Sequence, residues 1–177
     1  KLAGAETIIA VDIDPSKFSR AEELGATHCF DSKNNNMVEE IRDLTNGGVD
    51  YAIDLAGVIQ AMDTAYQIIR YGGSVVTAGL SPINTQFSFN HSDLVAQEKS
   101  ILGSYMGSCV PVRDVPRFLN LYKQGRLPVD KLIDGKITFD NLNEGFDKLS
   151  KGEVVRQILV PNAVSYTHLT LPTIPGV

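Results

Sequence analysis

Asp12 ends an unbroken apolar run, Thr7-Ile-Ile-Ala-Val-Asp12. In a dinucleotide-binding βαβ unit, an acid at the end of the second strand accepts hydrogen bonds from the adenosine ribose hydroxyls. Its charge also repels a 2′-phosphate, which favours NAD over NADP. The competing reading is that Asp12 merely closes a strand while Asp14 caps the next helix. Gly57 and Gly79 follow the next two long strands. Ligands of open parallel sheets sit at the carboxyl ends of strands, and glycine there lets backbone approach a flat ring or a sugar. Either glycine alone would be read as a turn; two in register with Asp12 point to a ligand. The Gly-x-Gly-x-x-Gly fingerprint that would support this reading is absent from the sequence, and its place would be upstream of Lys1.

The remaining reactive residues carry less. No Cys-x-x-Cys or His-x-x-x-His spacing occurs, so no zinc site can be read. Cys29 and Cys109 read as buried, reduced thiols of a cytoplasmic protein. His28, His91, Asp50 and Asp54 read as turn, surface or strand-end residues. Arg156, taken by itself, is a surface arginine on an end strand.

A regular alternation of strands and helices must position these groups. The run Thr7–Asp12 predicts a strand buried on both faces. Asp14-Pro15 predicts an N-cap with proline at the first helical position, and Gly25 a stop after Leu24. A short strand follows at Thr27–Phe30, then a helix from Met37 to Thr45 and a long strand from Val49 to Leu55. Ala61, Ala65, Ile68 and Ile69 lie at core spacing in a helix from Ile59 to Ile69. Gly72-Gly73 turns the chain into a strand at Ser74–Ala78. Gln86–Phe89 reads as short and extended, His91 as part of a helix start, and Ser100–Met106 as a further strand. A helix over Arg113–Gln124 carries Val115, Phe118, Leu119 and Tyr122 on one face and stops at Gly125. Asp140 is expected to cap a helix bearing Leu142, Phe146 and Leu149 that ends at Gly152. Val154–Val160 is the final strand. This pattern implies parallel βαβ units, hence an α/β fold with a doubly wound Rossmann sheet in the order 3-2-1-4-5-6.

The 177 residues fit one domain, or one domain with a small appendage, and 43% hydrophobic content is enough for a core. A formal charge of -5, with Lys and Arg scattered and usually near an acid, argues against nucleic acid, which needs clustered cations. No apolar run is long enough to span a bilayer, and no signal peptide is visible. The opening Lys1-Leu-Ala-Gly4 reads as the end of a helix, so the N-terminus looks like a cut. At the other end, Val164–Thr173 resembles the translation of a transposase-type sequencing adapter. Residues 162–177 are therefore read as a non-native or disordered tail, and Tyr166 and His168 receive no functional weight.

Several segments together resemble one family. They are Gly4-Ala5 to Asp12, Lys17-Phe18, Glu23-Leu-Gly-Ala-Thr27, Asn46-Gly-Gly-Val-Asp50, Gly72-Gly73 and Ala78-Gly79. The ending Asn143-Glu-Gly-Phe-Asp147, with Gly152-Glu153 and Arg156, is more specific still. In order and spacing, over Lys1 to about Pro161, the chain resembles the coenzyme-binding part of zinc-dependent medium-chain alcohol dehydrogenases.

The resemblance implies a division into a dinucleotide-binding domain at 1–135, lacking its first strand and glycine-rich loop, and a segment at 136–161 that returns to the catalytic domain. It implies NAD as cofactor, zinc bound by residues outside this chain, a small alcohol or aldehyde substrate, and a homodimer or homotetramer. Asp12 would hold the adenosine ribose with Lys17 assisting, and Ile13 and Ala56 would sandwich the adenine. Gly57 would let backbone approach the ligand. Ala78, Gly79 and Leu80 would line the nicotinamide side, Ser104 and Met106 would bind its carboxamide through backbone, and Arg156 would pair with the pyrophosphate. No catalytic residue is assigned. A zinc-free reductase of the quinone oxidoreductase type is the nearest alternative, but such enzymes usually prefer NADPH and Asp12 counts against it. An S-adenosylmethionine-binding α/β domain would also place an acid at that strand end. The chain by itself is expected to be inactive.

Overall fold

The structure is a computed structural model that describes residues Lys1–Pro161. The tail expected at 162–177 lies outside the described residues. The chain divides into two compact units, Lys1–Phe118 and Leu119–Val177.

In the first unit, β1 (Ile9–Asp12) pairs in parallel with β2 (His28–Asp31), with Asp12 opposite Asp31. The connection starts as expected. Asp14 accepts from the Ser16 N–H at 3.0 Å, and Pro15 opens a 3-10 turn, Pro15–Lys17, that continues into α1 (Phe18–Glu23). The Ser16 hydrogen bonds hold the Asp14 carboxyl below its ordinary range. Gly25, at φ +112, ends the helix: its N–H reaches the Glu22 carbonyl while the Ala26 N–H reaches that of Ala21. This crossed pair satisfies the last carbonyls and requires a left-handed residue.

The rest of the unit runs through α2 (Met37–Leu44), β3 (Val49–Asp54), α3 (Ile59–Ile68), β4 (Ile69–Thr77), α4 (His91–Ala96) and β5 (Ser100–Gly103). The three strands form a parallel sheet in the order β3-β4-β5, with Asp54, Thr77 and Gly103 aligned across it. Ile41, Ile69 and Val75 are fully buried, surrounded by Met37, Ala52, Met62, Ala65, Tyr66 and Ile68. Each large aliphatic side chain so buried contributes about 1.5–3 kcal/mol. Ile9 and Phe30 pack on the same cluster, so one core serves both sheets.

Several boundaries differ from expectation. The helix ends at Ile68, and β4 already begins at Ile69. Gly72-Gly73 is not the turn into that strand but lies within it, where the register steps from Val49↔Ile69 to Tyr51↔Ser74. Gln86–Phe89 forms no strand; Phe87 and Phe89 instead set their rings 6.2 and 6.1 Å from that of Tyr66. The strand from Ser100 stops at Gly103, level with the end of β4 at Thr77, and Met106 (φ 50, ψ 36) and Gly107 beyond it take left-handed conformations that a strand cannot hold. β1 is half-buried rather than buried on both faces, with Val11 exposed.

α5 (Pro111–Lys123) contains the boundary between the units. Beyond it come β6 (Gly135–Ile137), α6 (Leu142–Ser150) and β7 (Gln157–Leu159), with β6 and β7 parallel. β6 is an addition to the expected elements. Asp140 does not cap α6: it sits inside a 3-10 turn, Phe139–Asn141, and the cap position falls to Asn141. The final strand is shorter than Val154–Val160. Among the described residues no helix is long and apolar enough to cross a membrane.

The sheet of the first unit is divided. Among the described residues β1 pairs only with β2, and β3 only with β4. These are the neighbours that the order 3-2-1-4-5-6 requires when one central strand is not among them. On β3, Ala52 and Asp54 turn inward while Tyr51 (68%) and Ile53 (65%) stay exposed.

Where β3 and β4 end, their turns meet backbone to backbone. A Cβ added at Gly79 would lie 2.2 Å from the Gly57 nitrogen, and one at Gly57 would lie 2.7 Å from the Leu80 carbonyl oxygen. Two outcomes follow from this architecture. Unpaired apolar edges recruit other chains, so the chain expressed alone is expected to aggregate or to unfold without cooperativity, and to bind no NAD. Size-exclusion chromatography with thermal melting checks this, and a soluble, cooperatively melting monomer that binds NAD would contradict it. In a chain extended to include the strand between β1 and β3, Gly79→Ala is expected to lower stability by about 2 kcal/mol or more. Gly103→Ala, which meets nothing within 4 Å, should stay within about 0.5 kcal/mol in the same urea denaturation series.

Candidate functional site

Ten of the eleven residues singled out from the sequence lie at or just past the carboxyl ends of parallel strands in the first unit: Asp12, Ile13 and Lys17 after β1, Ala56 and Gly57 after β3, Ala78, Gly79 and Leu80 after β4, and Ser104 and Met106 after β5. Arg156 belongs to the second unit, just before β7.

The Asp12 side chain is 38% exposed. Its Oδ1 accepts from the Asp14 N–H at 2.9 Å and lies 3.5 Å from the Lys17 ammonium. Asp12 therefore shapes the turn that follows it and still presents a carboxylate to solvent. Ile13 (64%), Leu80 (79%) and Met106 (68%) are apolar side chains left exposed at the ends of their strands. Ala56 is exposed beside the buried Gly57. The Ser81 hydroxyl donates to the Gly57 carbonyl at 2.7 Å, which ties the second turn to the first. The Ser104 N–H donates to the Thr77 carbonyl at 2.9 Å, and the Ser104 and Ser108 hydroxyls are 3.3 Å apart.

The glycines act on each other. The close approach they allow is between the β3 and β4 turns themselves, with Gly57 buried and Gly79 half-buried at the contact.

Asp54, a strand-end acid by sequence, has more partners than that reading implies. It is buried, and its carboxylate accepts from the Ala56 N–H at 3.0 Å and the Gly57 N–H at 3.4 Å on Oδ1, and from the Thr77 hydroxyl at 2.9 Å on Oδ2. Its only sequence signal is parity: in Val49–Asp54 it falls on the same face as Ala52, an acid at an inward position of an apolar strand.

The other reactive groups have ordinary partners. Asp50 pairs with Arg70 at 2.7 Å, the His28 ring meets the Thr27 hydroxyl at 2.9 Å, and His91 opens α4 behind the capping Asn90. Cys29 and Cys109 are half-buried rather than buried, and desolvation pushes both thiols up, away from reactive thiolates. Arg156 is exposed, and its backbone N–H donates to the Asp134 carboxylate at 3.1 Å, as does that of Val155.

These residues are of the kinds that suit a dinucleotide: a solvent-facing carboxylate for ribose hydroxyls and exposed apolar side chains for flat rings. They do not fit a zinc ion. Among the described residues no three His, Cys, Asp or Glu side chains are grouped to hold a metal.

Comparison with known proteins shows the family. The sequence profile of the family described as zinc-binding dehydrogenase matches residues 1–124. Alcohol dehydrogenase 1 of Cenchrus americanus is 34% identical over 162 residues, which are 90% of this chain and 42% of that enzyme. The crystal structure of benzyl alcohol dehydrogenase from Acinetobacter calcoaceticus superposes with a TM-score of 0.85 at 33% identity, covering 89% of this chain and 43% of the other. A zinc-binding dehydrogenase from Sinorhizobium meliloti 1021, bound to NADP, superposes at 0.78 with 30% identity, covering 90% and 46%. The chain spans less than half the length of these relatives, and it belongs to the zinc-binding dehydrogenase family.

Proposed function

We propose that this chain is the coenzyme-binding part of an NAD-dependent zinc alcohol dehydrogenase, which moves a hydride between an alcohol carbon and the nicotinamide ring. The observation that carries the reading is Asp12, a half-exposed carboxylate at the end of β1 where a ribose is bound in such sheets. In this reading Asp12 holds the adenosine ribose, and Lys17, 3.5 Å away, steadies the carboxylate. Ile13 and Ala56 flank the adenine. The turns at Gly57 and Gly79 offer backbone to the ligand, and Ala78 and Leu80 complete the nicotinamide side. Ser104 and Met106 offer backbone groups to the carboxamide, and Arg156 pairs with the pyrophosphate. Residues 1–135 form the dinucleotide-binding domain, and 136–161 return to a catalytic domain outside this chain. That outer domain supplies the zinc ligands and most of the alcohol or aldehyde pocket, with zinc acting as a Lewis acid on the substrate oxygen. The outer edge of β5, unpaired among the described residues, suits sheet extension across a twofold axis in a cytoplasmic homodimer or homotetramer.

The NADP bound to the Sinorhizobium meliloti relative supports a second reading, in which the coenzyme is phosphorylated. Asp12 decides between the two, because a carboxylate repels a 2′-phosphate. In the full-length enzyme, NADH is expected to bind more tightly than NADPH. Asp12→Asn should weaken NADH by roughly tenfold to a hundredfold, the worth of hydrogen bonds to a charged group, and narrow the gap to NADPH. Fluorescence titration with both coenzymes measures this. Tighter NADPH binding by the wild type, or an Asp12→Asn enzyme with unchanged NADH affinity, would sink the NAD reading.

A further inference from the structure

Asp54 makes more bonds than closing a strand requires. Its side-chain oxygens take the Ala56 and Gly57 N–H groups from its own turn and the Thr77 hydroxyl from the end of the next strand. Its backbone carbonyl takes the Ala78 N–H at 2.9 Å and the Gly79 N–H at 3.2 Å. The linkage continues sideways, since the Thr77 carbonyl accepts the Ser104 N–H at 2.9 Å. One residue thus ties the turn after β3 to the turn after β4 and, through Thr77, reaches the end of β5. Its partners are neutral: backbone amides and one hydroxyl.

A carboxylate only 5% exposed is expensive to bury, and an apolar residue would end β3 without that cost. What the carboxylate adds is fixed geometry. Its two oxygens take donors from its own turn and from the last residue of β4, so a rigid planar group sets the spacing between the two. The glycine contact keeps the turns from moving closer, with Gly79 and Gly57 already touching. The Thr77 bond resists their moving apart, together with the Ala78 and Gly79 bonds to the Asp54 carbonyl and the Ser81 bond to the Gly57 carbonyl.

We propose that Asp54 is a positioning residue of the coenzyme cleft, holding Ala78–Leu80 at a set distance from Ala56–Gly57 through Thr77. The assignment rests on the proposed function for what fills the cleft, and on the hydrogen bonds alone for the lock itself. It predicts that removing the Thr77 hydroxyl harms the nicotinamide end of the coenzyme and spares the adenosine end, because Ala56 and Gly57 keep their bonds to the other Asp54 oxygen and Asp12 lies on another strand.

The deciding variant is Thr77→Val, because Asp54→Ala would also strip the β3 turn of its own acceptor. In the full-length enzyme, affinities for NADH and for ADP-ribose, which lacks the nicotinamide, are measured side by side with thermal melting. Thr77→Val is expected to weaken NADH by roughly threefold to tenfold, the worth of one net hydrogen bond. ADP-ribose affinity should stay within about twofold. Thr77→Ser, which restores the hydroxyl, should return NADH to within about twofold of wild type. A Thr77→Val enzyme that melts lower but keeps the wild-type ratio, or one that Thr77→Ser fails to rescue, overturns the assignment and leaves the coenzyme reading standing. A wild-type enzyme that binds neither NADH nor NADPH overturns both.

Discussion

Two turns meet with no side chain between them where β3 and β4 end, and much of the candidate site depends on that contact. Parallel pairing in register brings Asp54, Thr77 and Gly103 level across three strands. Such pairing gives neighbouring strands a common carboxyl edge, so the loops that leave it must crowd together. At Gly57 and Gly79 the crowding reaches backbone contact. A hydrophobic joint at this position would bury the strand ends but would not fix the angle between the loops. Hydrogen bonds to one planar carboxylate do fix it, at the cost of a polar group in the interior.

The divided sheet explains why the first unit exposes so much apolar surface. A strand of a doubly wound sheet is written to be buried on both faces and paired on both edges. Here β1 and β3 each have one strand partner among the described residues, and one face of β3 presents Tyr51 and Ile53 to solvent. The core on the other face is intact, with α3 supplying Met62, Ala65, Tyr66 and Ile68. The relatives are more than twice as long as the portion matched here. Apolar residues exposed at an edge or a bare face are therefore read as surfaces that expect a neighbour.

Local signals in the sequence carried over well. Asp14-Pro15 opens a helical turn and Gly25 closes α1, because capping depends on a few adjacent residues and on one backbone angle. Ala65 and Ile68 of α3 are buried as their spacing implies, while Ala61 is half-buried and Met62 and Tyr66 join the core beside them. Features that depend on distant partners were less legible. β6 has three residues with a lysine in the middle, and it exists as a strand through its pairing with β7, some twenty residues on. Asp140 resembles a cap in one dimension, but the chain inserts a 3-10 turn there and moves the cap by one residue. The bulge that places Gly72-Gly73 inside β4 is a matter of register, which no single strand encodes.

The acids at the strand ends make the same point for the site. Asp12, Asp31 and Asp54 close β1, β2 and β3, and each accepts from the N–H two residues further on, at 2.9, 2.9 and 3.0 Å. As turn-makers they are equivalent, and by residue type they cannot be told apart. What separates them is their surroundings. Asp12 keeps more than a third of its side chain in solvent beside a lysine, which leaves a charged acceptor available to a ligand. Asp54 is enclosed, and the Thr77 hydroxyl from the next strand holds its second oxygen. A ligand can compete for the first carboxylate and cannot reach the second without dismantling the joint between β3 and β4. Residue type and spacing mark Asp54 only as a strand-end acid, because they do not show the Thr77 hydroxyl that holds it. A turn-making acid becomes a binding group when its remaining oxygen faces water, and a positioning group when that oxygen is claimed by the neighbouring strand.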